Sequence, residues 1–389
     1  MKTIAVFFGS NSAEHDVSII TALVGVIAPL SAVGEYQIEP VYIAKDGSWH
    51  WDDRLKDISL YTSGKIEEFL KNDQPVQVSF DGGMTLSKVS GRLNRKKSVR
   101  IDVAFPATHG TYGEDGSLMG VFRMAGIPFV GCDMEASVIA MNKLLSHQVV
   151  SAAGIPGYRY LGLQKKAFET NTDDALKLFK DFRYPLFVKP VHLGSSIGIS
   201  KVTNIAELHN ALEVAFHYDD TAIVEEAVSN LIEVTLPIID GDDGPQAALL
   251  ESPLIDEGGT FDFNTKYMKQ GKGGKKAGGN ATGAQGYSEL PAKLPKELYS
   301  KAEKLGLDVY RVIGCSGIAR VDMLIDSLKK EVYFNEINPL PGSLYAHNWR
   351  MAGIATVDLV KKLIEQAERR AKLQRRIVTT FSTNFLKQF

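Results

Sequence analysis

Short apolar runs alternate with polar, glycine-rich turns through the first third of the chain. The run Ile4 to Phe8 ends at a turn that begins with Gly9, and helical spacing follows from Val17 to Leu30. A buried strand, a polar turn and a helix are typical of the first unit of a doubly wound parallel sheet. Further strands are predicted at Gln37 to Ala44, Asp102 to Pro106 and Gly126 to Gly131.

Between the second and third of these strands, Lys45 to Arg100 has no regular period and is expected to be irregular. Turns are predicted at Asp46-Gly47 and at Asp81 to Gly83. The run Arg92 to Arg100 carries five basic residues. We expect it to form a solvated hairpin tip.

The middle of the chain combines helical spacing with short apolar strands. Ala136 to Ala153 is predicted to be a helix with Lys143 inside it, and strands are predicted at Tyr184 to Pro190 and Ile199 to Val202. The turn Gly194 to Gly198 between these strands exposes backbone N–H groups and two hydroxyls, which suit phosphate oxygens. It is not a Walker A loop, because no Gly-Lys-Ser/Thr closes it and no helix follows.

Two further strands are predicted downstream. Ala222 to Glu226 is apolar and ends in two acids, as expected of a strand that lies against an adenine ring. Glu233 begins the next strand, which continues to Ile239.

Apolar and polar positions alternate most regularly in two later stretches, Ser316 to Asp326 and Glu331 to Ser343. A period of two predicts half-buried strands, and the polar link Asp326 to Lys330 predicts that they form a hairpin. Lys296 to Ile313 and Thr356 to Leu373 are predicted to be amphipathic helices.

The hairpin is expected to carry a cluster of charges. Side chains two positions apart on a strand share a face, so Arg320 lies beside Asp322, and Glu336 lies beside Asn338. Two carboxylates and a carboxamide are hard oxygen ligands that suit Mg2+ together with substrate phosphates. The alternative is a solvated strand face with an ordinary ion pair.

Asn264 to Tyr287 contains five lysines, seven glycines and no acid. A segment this poor in apolar groups cannot form a core. It is expected to be a lid that a triphosphate orders. A disordered surface loop is the alternative.

Composition narrows the class of protein. A chain of 389 residues suggests two or three domains, and a net charge of −2 gives no reason to expect nucleic acid as a partner. Cys132 and Cys315 form no disulfide framework and are expected to be reduced. The first residues hold too few apolar positions for a signal peptide or a membrane span, so we expect the cytoplasm and no membrane partner.

Polar side chains follow two of the N-terminal strands. Glu14 and Ser18 come after the first strand, at the edge of the sheet where ligands bind. Glu14 could instead be a first-turn acid favoured by the helix dipole. The loop His109 to Gly116 is expected to bind a ligand, with a simple glycine turn as the alternative.

Together these motifs resemble the D-alanine–D-alanine ligases, which have the ATP-grasp fold. The resemblance runs from about residue 4 to residue 370. It rests on Gly9-x-x-Ser-Ala-Glu14, His109-Gly-x-x-Gly-Glu-Asp-Gly116, Met141-Asn-Lys143, Val188-Lys-Pro190, Gly194-Ser-Ser-x-Gly198, Lys266-Tyr267, Arg320-x-Asp322, and Asn335-Glu-x-Asn338 with Pro341-Gly342.

The resemblance implies an α/β protein with an N-terminal doubly wound parallel-sheet domain and two α+β ATP-grasp subdomains. The expected boundaries are 1–131, 132–224 and 225–372, with a lid at 262–288 and a tail at 373–389. It also implies a homodimer, with ATP and D-amino acids as its small-molecule substrates.

The family's activity implies roles for individual residues. One carboxylate is phosphorylated by ATP, and the amine of a second D-alanine then displaces phosphate, which supplies D-Ala-D-Ala for peptidoglycan precursors. By resemblance, the ATP-binding residues are Lys143, Lys189, Ser195, Ser196, Glu225, Glu226, Val228, Glu233 and Lys266. The matches of the ligands for two Mg2+ ions, which Mn2+ can replace, are Asp322, Glu336 and Asn338.

The remaining matches concern the amino-acid substrates. Glu14 matches the acceptor of the first substrate's ammonium, linked by hydrogen bonds to Ser195 and Tyr267. Arg320 matches the donor beside the acyl phosphate and the tetrahedral centre, where negative charge develops. The other implied substrate-binding residues are His109, Gly342 and His347.

The chain departs from the family around the second substrate. Pro339 follows Asn338, where the family usually has Thr or a similar small residue. His347 stands where a Ser followed by an aliphatic residue usually receives the second carboxylate. His347 could instead be a packing residue beside Tyr345 and Trp349.

Tyr267 argues against a D-lactate acceptor but does not separate D-Ala from D-Ser. The donor half of the reaction is therefore better supported than the acceptor half. A related ATP-grasp ligase with another acceptor and a catalytically silent nucleotide-binding paralogue both stay open.

Overall fold

The computed structural model describes residues 1–90, 95–253 and 288–389. The strands are β1 Lys2–Gly9, β2 Tyr36–Ile43, β3 Trp49–Trp51, β4 Gln77–Phe80, β5 Met84–Ser90, β6 Arg95–Ile101, β7 Val103–Pro106, β8 Tyr160–Gln164, β9 Leu186–Pro190, β10 Ser200–Val202, β11 Thr221–Glu226, β12 Leu231–Gly241, β13 Gly244–Ala247, β14 Ser252–Pro253, β15 Ser288–Glu289, β16 Ile318–Asp326 and β17 Glu331–Asn338. The α-helices are α1 His15–Ile20, α2 Ala28–Val33, α3 Ile58–Thr62, α4 Ile66–Asn72, α5 Ser117–Ala125, α6 Met134–Met141, α7 Lys143–Ala152, α8 Lys165–Thr170, α9 Thr172–Lys177, α10 Ile205–Tyr218, α11 Lys296–Ile313, α12 Ala346–Met351 and α13 Thr356–Gln374.

The N-terminal sheet has the order β3-β2-β1-β7, and its three longer strands run parallel. Ile4 to Phe8 at its centre are fully buried, as expected of a strand covered on both faces. The predicted doubly wound parallel sheet is confirmed. Gly126 to Gly131 was expected to add a strand, but it forms only an isolated bridge between Ala104 and Phe129.

The helix after β1 is continuous from His15 to Val33, but its middle part, Thr21–Ile27, is π-helical. Among the described residues, this stretch alone is long and apolar enough to qualify as a candidate membrane span, with mean hydropathy 2.0. Half of that stretch is buried inside the protein, and the core helices of globular domains meet the same criterion. π-helical turns are frequent at functional sites.

The expectation that Lys45 to Arg100 is irregular is wrong. The stretch contains β3, helices α3 and α4, and an antiparallel meander, β4-β5-β6. Arg95 to Arg100 of the basic run belong to strand β6, which pairs with β5, and residues 91–94 lie outside the described residues. Lys97 lies over the ring of Trp51, so part of the basic run packs against an aromatic side chain.

The second sheet, β10-β9-β11-β8, is antiparallel and carries the turn Gly194 to Gly198 between β9 and β10. The predicted single helix with Lys143 inside it is wrong, because Asn142 interrupts it. Asn142 leaves the helical conformation and caps α7 by accepting a hydrogen bond from the Leu145 N–H at 2.8 Å. Lys143 is therefore the first residue of α7.

The third sheet has the order β13-β12-β16-β17 and is also antiparallel. The predicted hairpin of β16 and β17 is confirmed, and so is helix α11, whose apolar face covers this sheet. Strand β12 begins two residues before Glu233, so Glu233 lies within the strand rather than at its start. Both cysteines are free thiols, as expected.

The C-terminal helix α13 ends within one residue of its predicted limit, and large apolar side chains in the tail beyond it are exposed. The predicted domain boundaries stay predictions, and strand β11 of the second sheet crosses the one predicted between residues 224 and 225. The lid predicted at 262–288 lies outside the described residues except for its last residue, Ser288.

Candidate active site

The face of the β16–β17 hairpin brings together the four polar side chains that the sequence placed there. Arg320 lies opposite Asn338, and Asp322 lies opposite Glu336. The Arg320 guanidinium donates to both oxygens of Asp322, at 2.7 and 2.6 Å, and Asn338 Nδ2 donates to Asp322 Oδ2 at 3.3 Å. A register shift follows Asp322, and such bulges often re-aim side chains next to active sites.

The donor set fits a hard divalent cation. Among the described residues, no three side chains of His, Cys, Asp or Glu are grouped as a metal held by protein ligands alone would require. Mg2+ commonly uses one or two carboxylates and takes its other ligands from phosphates and water. Arg320 donates one hydrogen bond to each oxygen of Asp322, and because each carboxylate oxygen has two lone pairs, Asp322 can bind a cation while it is paired with Arg320.

Two buried lysines approach this hairpin from other elements. Lys143 Nζ lies 3.9 Å from Glu336 and also donates to the backbone carbonyl of Leu193. Lys189 Nζ lies 2.5 Å from Glu225 and 3.3 Å from Asn335 Oδ1. The pKa of Lys143 is lowered, chiefly by burial.

Burial is the largest single influence on the pKa of Lys189 and lowers it, but the charge and hydrogen bond of Glu225, with the charges of Glu336 and Glu233, together raise that pKa. Burial works against the ionised form of Glu225 as well, but Lys189 and His147 hold its pKa at about 2. Lys189 and Glu225 therefore form a fixed ion pair beside the hairpin.

The turn after β9, Gly194 to Gly198, is strained in a way that points to a function. Ser195 and Ser196 both have left-handed backbones, with φ values of 52° and 60°. Two successive non-glycine residues in this region cost free energy and are found preferentially at functional sites. The turn contacts the N-terminal loop, because Ser195 Oγ donates a hydrogen bond to Glu14 Oε1.

Glu14 is buried and lies close to the backbone of this turn. A β-carbon placed on Gly194 would lie 2.9 Å from Glu14 Oε2, so a larger residue there would require the Glu14 carboxylate to move. Glu14 occupies the N-cap position of α1, but its side chain makes no capping hydrogen bond. The geometry thus differs from that of a simple helix-capping acid.

The acids at the end of β11 are occupied by protein partners. Glu226 accepts from the Arg183 side chain at 2.9 and 2.8 Å and is nearly fully buried. Glu225 faces Lys189 and His147. Val228 and Glu233 follow in sequence and are half-buried, and their predicted contacts with ATP stay predictions.

The loop after β7 contributes two buried titratable groups. His109 Nε2 is hydrogen-bonded to Thr21 Oγ1 at 2.8 Å, and burial lowers the pKa of His109 to about 4. Burial and the nearby charge of Glu14 raise the pKa of Glu114 well above its usual range. Sequence reasoning did not single out Glu114 or Thr21, although Glu114 stands inside the loop that was predicted to bind a ligand.

A second left-handed turn follows Gly342. Ser343, Leu344 and Tyr345 have φ values of 49°, 54° and 52°. The backbone N–H of Ser343 donates to Thr21 Oγ1 at 2.8 Å, which ties this turn to the π-helical part of the first helix. The Tyr345 ring lies 5.1 Å from the Arg320 guanidinium carbon.

His347 lies just beyond this turn and has a protein carboxylate as its partner. Its Nε2 is 2.8 Å from Glu251 Oε2, and its ring centroid is 4.7 Å from that of Tyr345. The ring contact agrees with the packing alternative, whereas the ion pair was not expected from the sequence. Lys266 and Tyr267 lie outside the described residues.

Solved structures with this architecture define the class to which the chain belongs, the ATP-grasp fold. The D-alanine–D-alanine ligase from Coxiella burnetii matches with a TM-score of 0.76 and 25% identity, covering 96% of each chain. The VanG D-Ala:D-Ser ligase from Enterococcus faecalis matches with a TM-score of 0.76 and 31% identity, covering 94% of this chain and 99% of that one.

Family models narrow the class further. The D-ala D-ala ligase N-terminus model matches residues 3–132, and the D-ala D-ala ligase C-terminus model matches residues 149–365. The D-alanine–D-alanine ligase of Acetivibrio thermocellus is 32% identical over 383 residues, covering 95% of this chain and 96% of the relative. The ligase of Chlorobaculum tepidum is 34% identical over 379 residues, covering 93% and 96%. The chain belongs to the D-alanine–D-alanine ligase family, whose members are ATP-dependent enzymes.

Proposed function

We propose that this protein joins two D-alanines at the expense of ATP, giving D-Ala-D-Ala, ADP and phosphate. The observation that carries the proposal is the convergence of the N-terminal acid Glu14 with the strained turn at Ser195. This contact joins a group suited to an ammonium with a turn suited to phosphate oxygens. Lys143, which contacts both Leu193 beside that turn and Glu336, connects the pair to the hairpin cluster.

In the first step, a carboxylate oxygen of the donor D-alanine attacks the γ-phosphorus of ATP, and ADP leaves with the electron pair of the broken P–O bond. Phosphoryl transfer depends mainly on positioning and charge neutralisation. Lys143 and Lys189 would hold the phosphates, and the backbone N–H groups of the turn at Ser195 and Ser196 would close over them. Asp322, Glu336 and Asn338 would hold Mg2+, which neutralises phosphate charge when it is bound.

In the second step, the neutral amine of the acceptor attacks the acyl carbon, phosphate leaves, and the amine nitrogen loses a proton. Arg320 would stabilise the negative charge that develops on the acyl oxygen. Glu14 would hold the donor's ammonium, with Ser195 fixing the orientation of its carboxylate. His109, Gly342 and His347 would line the substrate site, Tyr267 would be linked by hydrogen bonds to Glu14 and Ser195, and Lys266 would bind ATP.

A second candidate differs only in the acceptor. The VanG D-Ala:D-Ser ligase is as similar in fold as the D-alanine–D-alanine ligase from Coxiella burnetii, with the same TM-score of 0.76. In addition, His347, which is paired with Glu251, stands at the position where a serine is expected to bind the acceptor's carboxylate. D-Serine is therefore the alternative acceptor.

ADP release measured over a panel of D- and L-amino acids, with products identified by mass spectrometry, tests the proposal. We expect D-Ala-D-Ala as the main product with ATP and Mg2+. D-Ala-D-Ser as the main product would establish the second candidate, and no dipeptide from any pair would refute both. We further propose a cytoplasmic homodimer that supplies peptidoglycan precursors, with domains at 1–131, 132–224 and 225–372.

A further inference from the structure

Glu251 is a buried carboxylate that the proposed mechanism does not use. It lies between β13 and β14, is 2% exposed, and forms an isolated antiparallel bridge with Thr235 of β12. Both backbone hydrogen bonds of that bridge are present, at 2.8 and 3.0 Å. The position of the carboxylate is therefore fixed by the third sheet rather than by a surface loop.

Three side chains from two separate parts of the chain surround this carboxylate with donors. His347 Nε2 lies at 2.8 Å and Asn348 Nδ2 at 3.2 Å from Oε2, and Ser288 Oγ donates to Oε1. Burial opposes ionisation, but His347, Ser288 and Asn348 together lower the pKa of Glu251. An ionised carboxylate in a buried place is expected to be matched by donors of this kind.

Asn348 also fixes the chain on either side of the pair. Its Nδ2 donates to the Leu249 carbonyl at 2.9 Å, and its Oδ1 accepts from the Leu249 N–H at 3.0 Å. The start of α12 and the strand segment that carries Glu251 are thus joined by three hydrogen bonds from one buried side chain. His347 can turn about its own side-chain bonds, but its backbone position is held.

The contact with Glu251 determines which atom His347 offers to a ligand. With Nε2 donating to Glu251 and one ring face against Tyr345, the second ring nitrogen, Nδ1, is directed elsewhere. No hydrogen bond joins Nδ1 to any residue within 1–90, 95–253 and 288–389, and a quarter of the side chain is exposed. Tyr345 in turn lies beside Arg320, so a single side chain separates His347 from the arginine of the candidate site.

We propose that Glu251 is a positioning residue of the acceptor subsite, which orients His347 so that its Nδ1 receives the carboxylate of the acceptor amino acid. The proposal rests on the proposed function. A carboxylate hydrogen-bonded to the far nitrogen of an imidazole fixes ring orientation and favours the protonated ring, as in other His–carboxylate pairs. Acceptors that carry a free α-carboxylate would be selected by this arrangement.

A double-mutant cycle tests the proposal. Glu251→Gln keeps the size of the side chain and can still bond Ser288 and Asn348, but it removes the charge. We expect the acceptor's KM to rise about tenfold, as for loss of a charge-assisted hydrogen bond, with the KM values of ATP and the donor unchanged. In a His347→Ser background, Glu251→Gln should have no further effect on the acceptor's KM, because Glu251 acts through His347.

Glu289→Gln is the matched control, since Glu289 lies on β15 next to Ser288 and is paired with Lys293. It should leave all three KM values unchanged. If Glu251→Gln changes the acceptor's KM equally in the presence and absence of His347, the proposal is overturned, because that result is expected of a carboxylate with a structural role. An unchanged acceptor KM in Glu251→Gln would overturn it as well.

A second measurement separates this inference from the proposed function. Imidazole nitrogen signals of 15N-histidine-labelled protein report which ring nitrogen carries a proton, and His347→Ser assigns the His347 signals among the eight histidines. We expect Glu251→Gln to shift both nitrogens of His347, while Glu289→Gln leaves them in place. If the wild type makes no dipeptide, the proposed function fails. Unchanged signals in Glu251→Gln overturn the positioning role whether or not a dipeptide is made.

Discussion

Two left-handed turns face the candidate active site, and they are built in opposite ways. The first contains Ser195 and Ser196, and the second contains Ser343, Leu344 and Tyr345. Each places successive non-glycine residues in a region that costs about 1–2 kcal/mol per residue. The first turn is made of small residues next to glycines, whereas the second carries bulky side chains that pack into the protein.

This difference indicates what each turn can bind. Small side chains leave backbone N–H groups open to an anion, so the first turn suits phosphate oxygens whatever molecule carries them. In the second turn, Leu344 is fully buried and the Tyr345 hydroxyl lies 3.2 Å from Thr235 Oγ1. The groups that the second turn offers to a ligand are therefore set by side chains that are distant in sequence. We expect this turn to determine the specificity for the acceptor.

Arg320 lies beside Tyr345 of the second turn, and its replacement should have the largest effect. It is bonded to Asp322 and lies beside Tyr345, so it connects the metal-binding side of the site with the acceptor side. We expect Arg320→Ala to lower turnover at least a hundredfold, since one preorganised donor at a developing oxyanion is worth roughly 3 kcal/mol. ATP binding should be nearly intact.

Single-turnover kinetics check this expectation, with Arg320→Lys as the control. Lysine keeps the charge but not the two-pronged geometry that engages both oxygens of Asp322. An intermediate rate is therefore expected for Arg320→Lys. Near-normal product formation by Arg320→Ala in a single turnover would show that Arg320 has another role.

His109 anchors the second turn, and its replacement should change the dependence of stability on pH. The folded protein holds the pKa of His109 at about 4, below the ordinary value of 6.5. Its stabilising contribution is therefore complete above pH 6.5 and is lost as the pH falls towards 4, because the unfolded chain takes up a proton that the folded chain resists. The shift corresponds to about 3 kcal/mol.

Urea unfolding of the wild type and of His109→Gln from pH 7 to pH 4 measures the contribution of His109 to the pH dependence of stability. We expect the free energy of unfolding to fall by about 3 kcal/mol more in the wild type than in His109→Gln over this range. Carboxylates that titrate in the same range contribute equally to both proteins. Parallel curves would mean that His109 accepts a proton in the folded state.

The contrast between the turns also explains how much of the site could be predicted from sequence. Arg320 and Asp322 are two positions apart on one strand, so the period of two predicted their contact. Glu251 and His347 are 96 positions apart and make a contact that no local pattern indicates. Glu14 and Ser195 are 181 apart, and their contact was expected only through resemblance to a known family.

The secondary structure likewise divides into elements that a local pattern predicted and elements that it did not. Long elements with a clear period, such as helix α11, were predicted at their observed bounds. The meander β4-β5-β6 was missed because each strand gains its stability from partners elsewhere in the chain, and basic residues interrupt the apolar alternation in β6. The break at Asn142 was missed because helical spacing continues across it, although its capping side chain is a recognisable signal.

Ser195 gives the next largest effect and tests the first turn alone. Ser195→Ala removes the hydrogen bond to Glu14 but keeps the backbone N–H groups. A hydrogen bond to a charged group is worth about 1.5 kcal/mol or more, so we expect the donor's KM to rise about tenfold with little change in ATP affinity. Ser196→Ala should weaken ATP binding instead, and a titration of each ligand against both variants distinguishes the two. A selective loss of ATP affinity in Ser195→Ala would contradict the assignment.

His347 gives the smallest expected effect and tests the second turn. An imidazole binds a carboxylate best when it is protonated, and a lower pH favours that form. The groups that face His347 are Glu251 from the third sheet, Tyr345 from the turn and, behind Tyr345, Arg320. If His347 receives the acceptor's carboxylate, the acceptor's affinity should weaken as the pH rises.

Turnover responds to pH in the opposite sense, because the acceptor's amine must be neutral to attack the acyl carbon. The acceptor's KM and kcat should therefore rise together above neutrality. His347→Ser should flatten the rise in KM, since a hydroxyl binds a carboxylate equally well across this range, and should leave the donor's KM and the rise in kcat as they are. If His347 only packs against Tyr345, the acceptor's KM will follow the same pH profile in His347→Ser as in the wild type, and the second turn will be a structural element whose strain serves to hold Tyr345 beside Arg320.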